Sequence, residues 1–78
     1  MASKEYREVV AALKRHDSRF EIHKRRGKGS HRMVVHPDVD GRMRHYPLPY
    51  RGPKTRIATG MLRDIVRVFE LPADVFDG

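Results

Sequence analysis

Apolar side chains follow two different rhythms along this chain. Tyr6, Val9, Val10 and Leu13 recur at i, i+3, i+4 and i+7, a single helical stripe, and the spacing predicts a helix over residues 3–16. Ser3 is placed to cap it, and Lys4, Glu5, Arg7 and Glu8 fill the wet side of its first turns. Lys14, Arg15 and His16 complement the negative end of the helix dipole, and Asp17-Ser18 starts a turn. The same stripe returns in Leu62, Ile65, Val66 and Phe69, with Thr59 as the expected N-cap. Between the helices the period shortens to two. Phe20 and Ile22 alternate with Glu21 and His23, which predicts a strand over residues 20–24 with one wet side. A second strand is expected over 32–36 around Met33-Val34-Val35, and a third over 42–46. Residues 37–41 join them as a turn closing on Asp40-Gly41, a strong hairpin signal. Pro47 and Pro49 cannot donate to a ladder, so the third strand lies at a sheet edge or stops there. Beyond the last helix Pro72 breaks the pattern, and Leu71, Val75 and Phe76 are expected to fold back as an apolar clip. The order is α-β-β-β-α, an α+β single domain over residues 1–78 with two helices on one face of a three-stranded antiparallel sheet.

Length makes the core thin. A chain of 78 residues buries only about 60% of its unfolded surface, and with no cysteine there is neither a disulfide nor a thiolate metal site to supplement it. No apolar run approaches the roughly 20 residues that span a bilayer, and the N-terminus lacks a secretory pattern, so the expectation is a soluble, cytoplasmic protein without a membrane partner. The net charge of +7 speaks about partners rather than fold. It is unevenly spread: residues 22–63 hold eleven Lys and Arg against two acids, Asp38 and Asp40, whereas the flanks hold eight acids against six Lys and Arg. A basic middle between near-neutral ends predicts one cationic face, and nucleic acid is the partner it fits.

That charge is densest in Arg25-Arg26-Gly27-Lys28-Gly29-Ser30-His31-Arg32. Glycine lets a main chain turn tightly and approach a ligand, and the cations draw in phosphate. His31 adds the side chain most used to move protons near neutral pH, and it can serve a ribose 2′-hydroxyl or a leaving oxygen. Lys28 and Arg32 are the nearest cations to stabilise charge on the phosphorane. Arg25, Arg26, Gly29 and Ser30 complete the expected RNA contacts of this stretch, with Ser30 a turn former or phosphate contact rather than a nucleophile. The full G-x-x-x-x-G-K-[ST] spacing of a nucleotide-binding loop is absent. His36, five residues on, falls on the opposite strand face and is expected at a hairpin end. His23 and His45 occupy strand positions that can face solvent. No H-E-x-x-H or carboxylate cluster accompanies the histidines, so no metal or cofactor is expected. A second cationic set, Arg42, Arg44, Arg51, Lys54 and Arg56, suits phosphates or an acidic protein; Arg44, Arg51 and Lys54 are assigned to RNA. Tyr46 and Tyr50 are suited to edging the core or stacking on bases.

Gly29-Ser30-His31 after an amphipathic helix, then His36-Pro37-Asp38, resembles the HicA family of toxins. Pro47-Leu48-Pro49 and Thr59-Gly60-Met61-Leu62-Arg63-Asp64-Ile65 resemble that family's proline-containing strand and closing helix, so the likeness covers nearly the whole chain. The resemblance implies a fold like the double-stranded-RNA-binding domain and a ribonuclease of a type II toxin–antitoxin pair that cuts mRNA, with His31 catalytic. It also implies a HicB-type antitoxin that masks the site, and no action on DNA alone. The chain departs from the family in a longer stretch between Phe20 and Gly29, in an Arg- and Pro-rich segment over 38–59, and in Tyr50 where many members carry histidine. The competing readings are a catalytically silent module for structured RNA and a basic subunit that binds only another protein. Only the ribonuclease needs His31 as a histidine, since Lys or Arg would serve a phosphate contact.

Overall fold

The computed structural model describes residues 2–24 and 31–77. In chain order its elements are β1 (Lys4–Glu5), α1 (Tyr6–His16), β2 (Glu21–Lys24), β3 (His31–Val39), β4 (Arg42–Pro49), β5 (Arg56–Ile57) and α2 (Thr59–Val68). The expected α+β architecture of two helices and a three-stranded antiparallel sheet is present, with strand order β2-β3-β4. Two elements were not foreseen. β1 and β5 form a separate antiparallel pair, Lys4 opposite Ile57 and Glu5 opposite Arg56, too short to show a period in the sequence.

That small pair resets the start of the first helix. Ser3 does not cap it: Lys4 and Glu5 are held extended against β5, and the helix begins at Tyr6 behind Glu5. The amide of Glu5 donates to the Glu8 carboxylate at 2.9 Å. The next two orphan donors are met by a loop rather than by a side chain, Tyr6 N–H to Thr55 O at 2.7 Å and Arg7 N–H to Pro53 O at 2.9 Å. In α2, likewise, Thr59 is the first helical residue and the extended Ala58 is the cap, because Arg56–Ile57 is in strand immediately before it.

Both helical stripes reach one core. Tyr6, Val9, Ala12 and Leu13 from α1 meet Leu62 and Ile65 from α2, and Phe20, Val34, Leu48, Ile57, Phe69 and Phe76 fill the space between. Leu71 and Val75 pack against it, so the C-terminal clip is present as the sequence predicts. Pleating sorts the sheet: Ile22, Val34 and Tyr46 align in one register row on the core side, while Glu21, Val35 and His45 align on the other. Tyr46 donates its hydroxyl to Asp64 at 3.0 Å, tying β4 to α2, and burial together with this bond pushes the phenol above its usual range.

β3 runs three residues past its expected end. A bulge between His36 and Val39 absorbs Pro37, and the hairpin is closed by Asp40 and Gly41, both at positive φ (53° and 82°) as a two-residue type I′ turn requires. β4 continues through Pro47 and Pro49 because it is an edge strand, where a missing N–H leaves no ladder bond unmade on the outer side. Among the described residues no helix is long and apolar enough to cross a membrane.

The end of α2 carries a local conflict. Leu71 N–H reaches Val66 O at 2.9 Å and Glu70 N–H reaches Arg67 O at 3.4 Å, a Schellman pattern with Glu70 at φ 52° in the position that favours glycine. The left-handed conformation costs a non-glycine residue about 1–2 kcal/mol, whereas the exposed Arg44–Glu70 ion pair at 3.2 Å returns about 0–1 kcal/mol. Glu70→Gly is therefore expected to raise stability by up to about 1 kcal/mol in urea unfolding. A clear loss would show that the ion pair outweighs the strain.

Candidate functional site

One end of the sheet collects the residues singled out in the sequence. β2 finishes there, β3 begins and β4 finishes. Lys24 lies opposite Arg32, Arg32 opposite Leu48, and His31 opposite Pro49. Arg25, Arg26, Lys28, Gly29 and Ser30 of the expected site lie outside the described residues.

His31 is exposed and opens the central strand. By the alternation of β3 it shares the helix-free face with Met33 and Val35, and it is therefore on the other face from Val34. Two more histidines share that outward face, His23 on β2 and His45 on β4, both exposed. His23 sits opposite Met33, two positions along from His31, which makes the pair diagonal neighbours at about 7–8 Å. The His23 ring nitrogen Nε2 bonds the Glu21 carboxylate at 2.8 Å, so its orientation is fixed from within its own strand. Nothing in the sequence distinguished His23, because strand alternation alone does not say which strands are neighbours.

Arg32, expected beside His31, projects to the helix side instead. There its guanidinium lies 3.5 Å above the centroid of the Tyr50 ring and 5.9 Å from that of Tyr6, and the two tyrosines meet edge to face at 4.7 Å. One face of Tyr50 is thus covered by a cation rather than open to a base. Arg51 and Lys54 follow Tyr50 on an exposed loop held in a defined shape. Arg51 N–H donates to Thr55 Oγ1 at 2.8 Å, Thr55 Oγ1 donates to Gly52 O at 2.8 Å, and carbonyls of the same loop cap α1. Gly52 has φ 130°, a conformation that side chains disfavour, and this is what lets the loop double back.

Arg44 has a different task. It donates to Val68 O at 3.0 Å and pairs with Glu70, fastening β4 to the end of α2. Arg42 lies at the hairpin end, opposite Val39, away from His31. Of the second cationic set, Arg51 comes two residues after Pro49, the partner of His31, and Lys54 lies on the same loop.

His36 lies at the hairpin end of the sheet, as expected, but it is a buried strand residue. It is 4% exposed inside β3, packed edge to face on Phe20 at 4.7 Å. Its Nδ1 accepts the amide of Asp38 at 3.1 Å, which places the ring proton on Nε2, and Nε2 donates to Asp17 Oδ2 at 2.8 Å. Asp38 in turn accepts Gly41 N–H at 2.8 Å. His36-Pro37-Asp38 is therefore a structural device that stitches bulge, hairpin and the turn after α1. A shallow groove lined by Asp17, Asp38, Asp40 and Glu70 lies at this hairpin end, but its acidity is wrong for a polyanion and it is remote from His31 along β3. Among the described residues no three His, Cys, Asp or Glu side chains are grouped to hold a metal.

Asp17 anchors that network. The Arg19 guanidinium, then the Arg19 amide and the His36 ring, hold its carboxyl far below the usual carboxylate range. A carboxylate with a depressed folded pKa contributes stability that is fully present above its unfolded pKa of about 3.9 and is lost as pH falls through the lower folded value. Asp17→Asn is thus expected to be less stable than the native chain at neutral pH, with the gap narrowing toward about pH 2–3. Urea midpoints at several pH values measure this, and a gap independent of pH would contradict it.

No family model, no curated protein and no solved structure matches the chain.

Proposed function

We propose that this chain is a metal-independent endoribonuclease that cleaves mRNA in the cytoplasm, the toxin of a type II toxin–antitoxin pair, with a HicA-like, double-stranded-RNA-binding-domain-like fold. The observation that carries the reading is the position of His31: exposed, at the first residue of the central strand, on the sheet end that also carries Lys24 and Arg32. The order of two helices flanking three antiparallel strands, with both helices on one face, supports the likeness of fold.

The chemistry needs two proton transfers. As the ribose 2′-oxygen attacks phosphorus, a base takes the hydroxyl proton; the bond to the 5′-oxygen breaks as an acid supplies a proton, leaving a 2′,3′-cyclic phosphate and a 5′-hydroxyl. His31 takes one role. His23, diagonal to it on the same face and oriented by Glu21, is placed for the other. Arg51 and Lys54, with the basic residues between 25 and 30, hold the RNA backbone. A HicB-type antitoxin of acidic character would cover this end of the sheet, its charge complementing the cations that otherwise face RNA.

Incubation of purified protein with long RNA in EDTA tests the reading. Cleavage is expected to persist without divalent metal, to fall at least about 10²-fold in His31→Ala, and to fall by about 10²–10⁴-fold in His23→Ala, with RNA binding retained in both. Intact RNA that is nonetheless bound would favour the catalytically silent module for structured RNA. Unchanged cleavage in His31→Ala would remove the assignment altogether.

A further inference from the structure

Arg32 and Lys24 stand directly opposite each other on adjacent strands, on the helix side of the sheet end. Like charges at such positions repel, since the side chains start only about 5 Å apart. Four cations elsewhere among the described residues meet carboxylates: Arg7 pairs with Glu5, Arg19 with Asp17, Arg44 with Glu70 and Arg67 with Asp64. Among the described residues neither Lys24 nor Arg32 forms an ion pair or a side-chain hydrogen bond. What sets this pair apart is its juxtaposition: an anion bound between the two side chains would relieve their repulsion.

The packing of Arg32 adds a direction to that charge. Its guanidinium carbon lies 3.5 Å over the centroid of the Tyr50 ring, and Tyr50 is itself braced by Tyr6. Stacking occupies the face of the guanidinium and leaves its N–H edge to donate, the geometry that grips two oxygens of a phosphate at once. The side chain is half-buried, so its position is set before any ligand arrives. Tyr50 opens the rigid loop that carries Arg51, which keeps further positive charge nearby.

We propose that Lys24 and Arg32, with Tyr50 as the platform under the guanidinium, bind a single phosphate of the RNA backbone. The site rests on the ribonuclease reading and deepens it: His31 and Arg32 are consecutive on β3 and point to opposite faces, so the strand grips RNA on one side of the sheet end and presents it to the imidazole on the other. Tyr50 supports the arginine and takes no part in proton transfer.

The test uses labelled 2′-O-methyl RNA, which binds but cannot be cleaved, with anisotropy titrations in EDTA over a range of salt. Arg32→Lys keeps the charge and loses the flat, two-pronged donor; it is expected to weaken binding by about tenfold. Arg32→Gln is expected to lower the slope of log K against log salt by about 0.7, the share of one phosphate on a single strand. Tyr50→Phe keeps the platform and is expected to bind as the native chain does, whereas Tyr50→Leu is expected to match Arg32→Lys. If Tyr50→Leu fails to fold, the comparison of Tyr50→Phe with the two Arg32 variants decides. On cleavable RNA the Arg32 variants are expected to raise KM with little change in kcat, the reverse of His31→Ala. Native affinity and slope in both Arg32 variants would overturn the phosphate site while leaving the ribonuclease reading standing. Weakened binding with an unchanged salt slope in Arg32→Gln would also overturn it. Failure of the native chain to bind RNA would remove both.

Discussion

The alternation of β3 is the constraint on which the rest of the molecule depends. It is the one strand of the main sheet with neighbours on both sides, and a fully buried Val34 sits at its middle against both helices. A slip of one residue would turn Val34 and His36 out to solvent and bring His31, Met33 and Val35 inward. The register that closes the core is therefore the same register that exposes His31 and lays Arg32 on Tyr50. In a chain this short there is one core and one set of helices to cover it, so the second face of the sheet stays open. Among the described residues of that face Val35 is buried, whereas His23, His31 and His45 are exposed.

The two ends of β3 have opposite characters. At the hairpin end a buried imidazole is held by Asp17 on one nitrogen and by the Asp38 amide on the other, and an unpaired ring there would cost about 1–3 kcal/mol. Acids gather around it: Asp17, Asp38, Asp40 and Glu70. Lys24, Arg32, Arg51 and Lys54 form no ion pair among the described residues. The Gly29-Ser30-His31 and His36-Pro37-Asp38 motifs, five residues apart in sequence, thus divide the labour. His31 of the first opens β3 at its basic end, and the second fastens the strand at the other.

Much of this was legible in the sequence. The helical stripes at Tyr6, Val9, Leu13 and at Leu62, Ile65 are strong periodic signals, and Asp40-Gly41 specifies its turn through positive φ at both residues. What escaped were features made by contacts distant along the chain. Nothing near Ser3 reveals that Lys4–Glu5 will pair with Arg56–Ile57, and so the helix starts later than its cap signal suggests. His36 read as the last residue of its strand because Pro37 follows it; the bulge that carries the strand past the proline is stabilised by Asp17, nineteen positions from His36. For the site, His31 stood out by composition, whereas its relation to His23 and the stacking of Arg32 on Tyr50 required the order and register of the strands.

The central claim is that a single end of the sheet receives RNA on both faces. Amide and side-chain NMR shifts of the protein on addition of 2′-O-methyl RNA test it most directly. The account predicts perturbations concentrated at His23, Lys24, His31, Arg32, Tyr50, Arg51 and Lys54, with His36, Asp38 and the hairpin at Asp40 unmoved. Shifts centred on the hairpin end or on the outer surfaces of the two helices, with His31 and Arg32 unaffected, would contradict it.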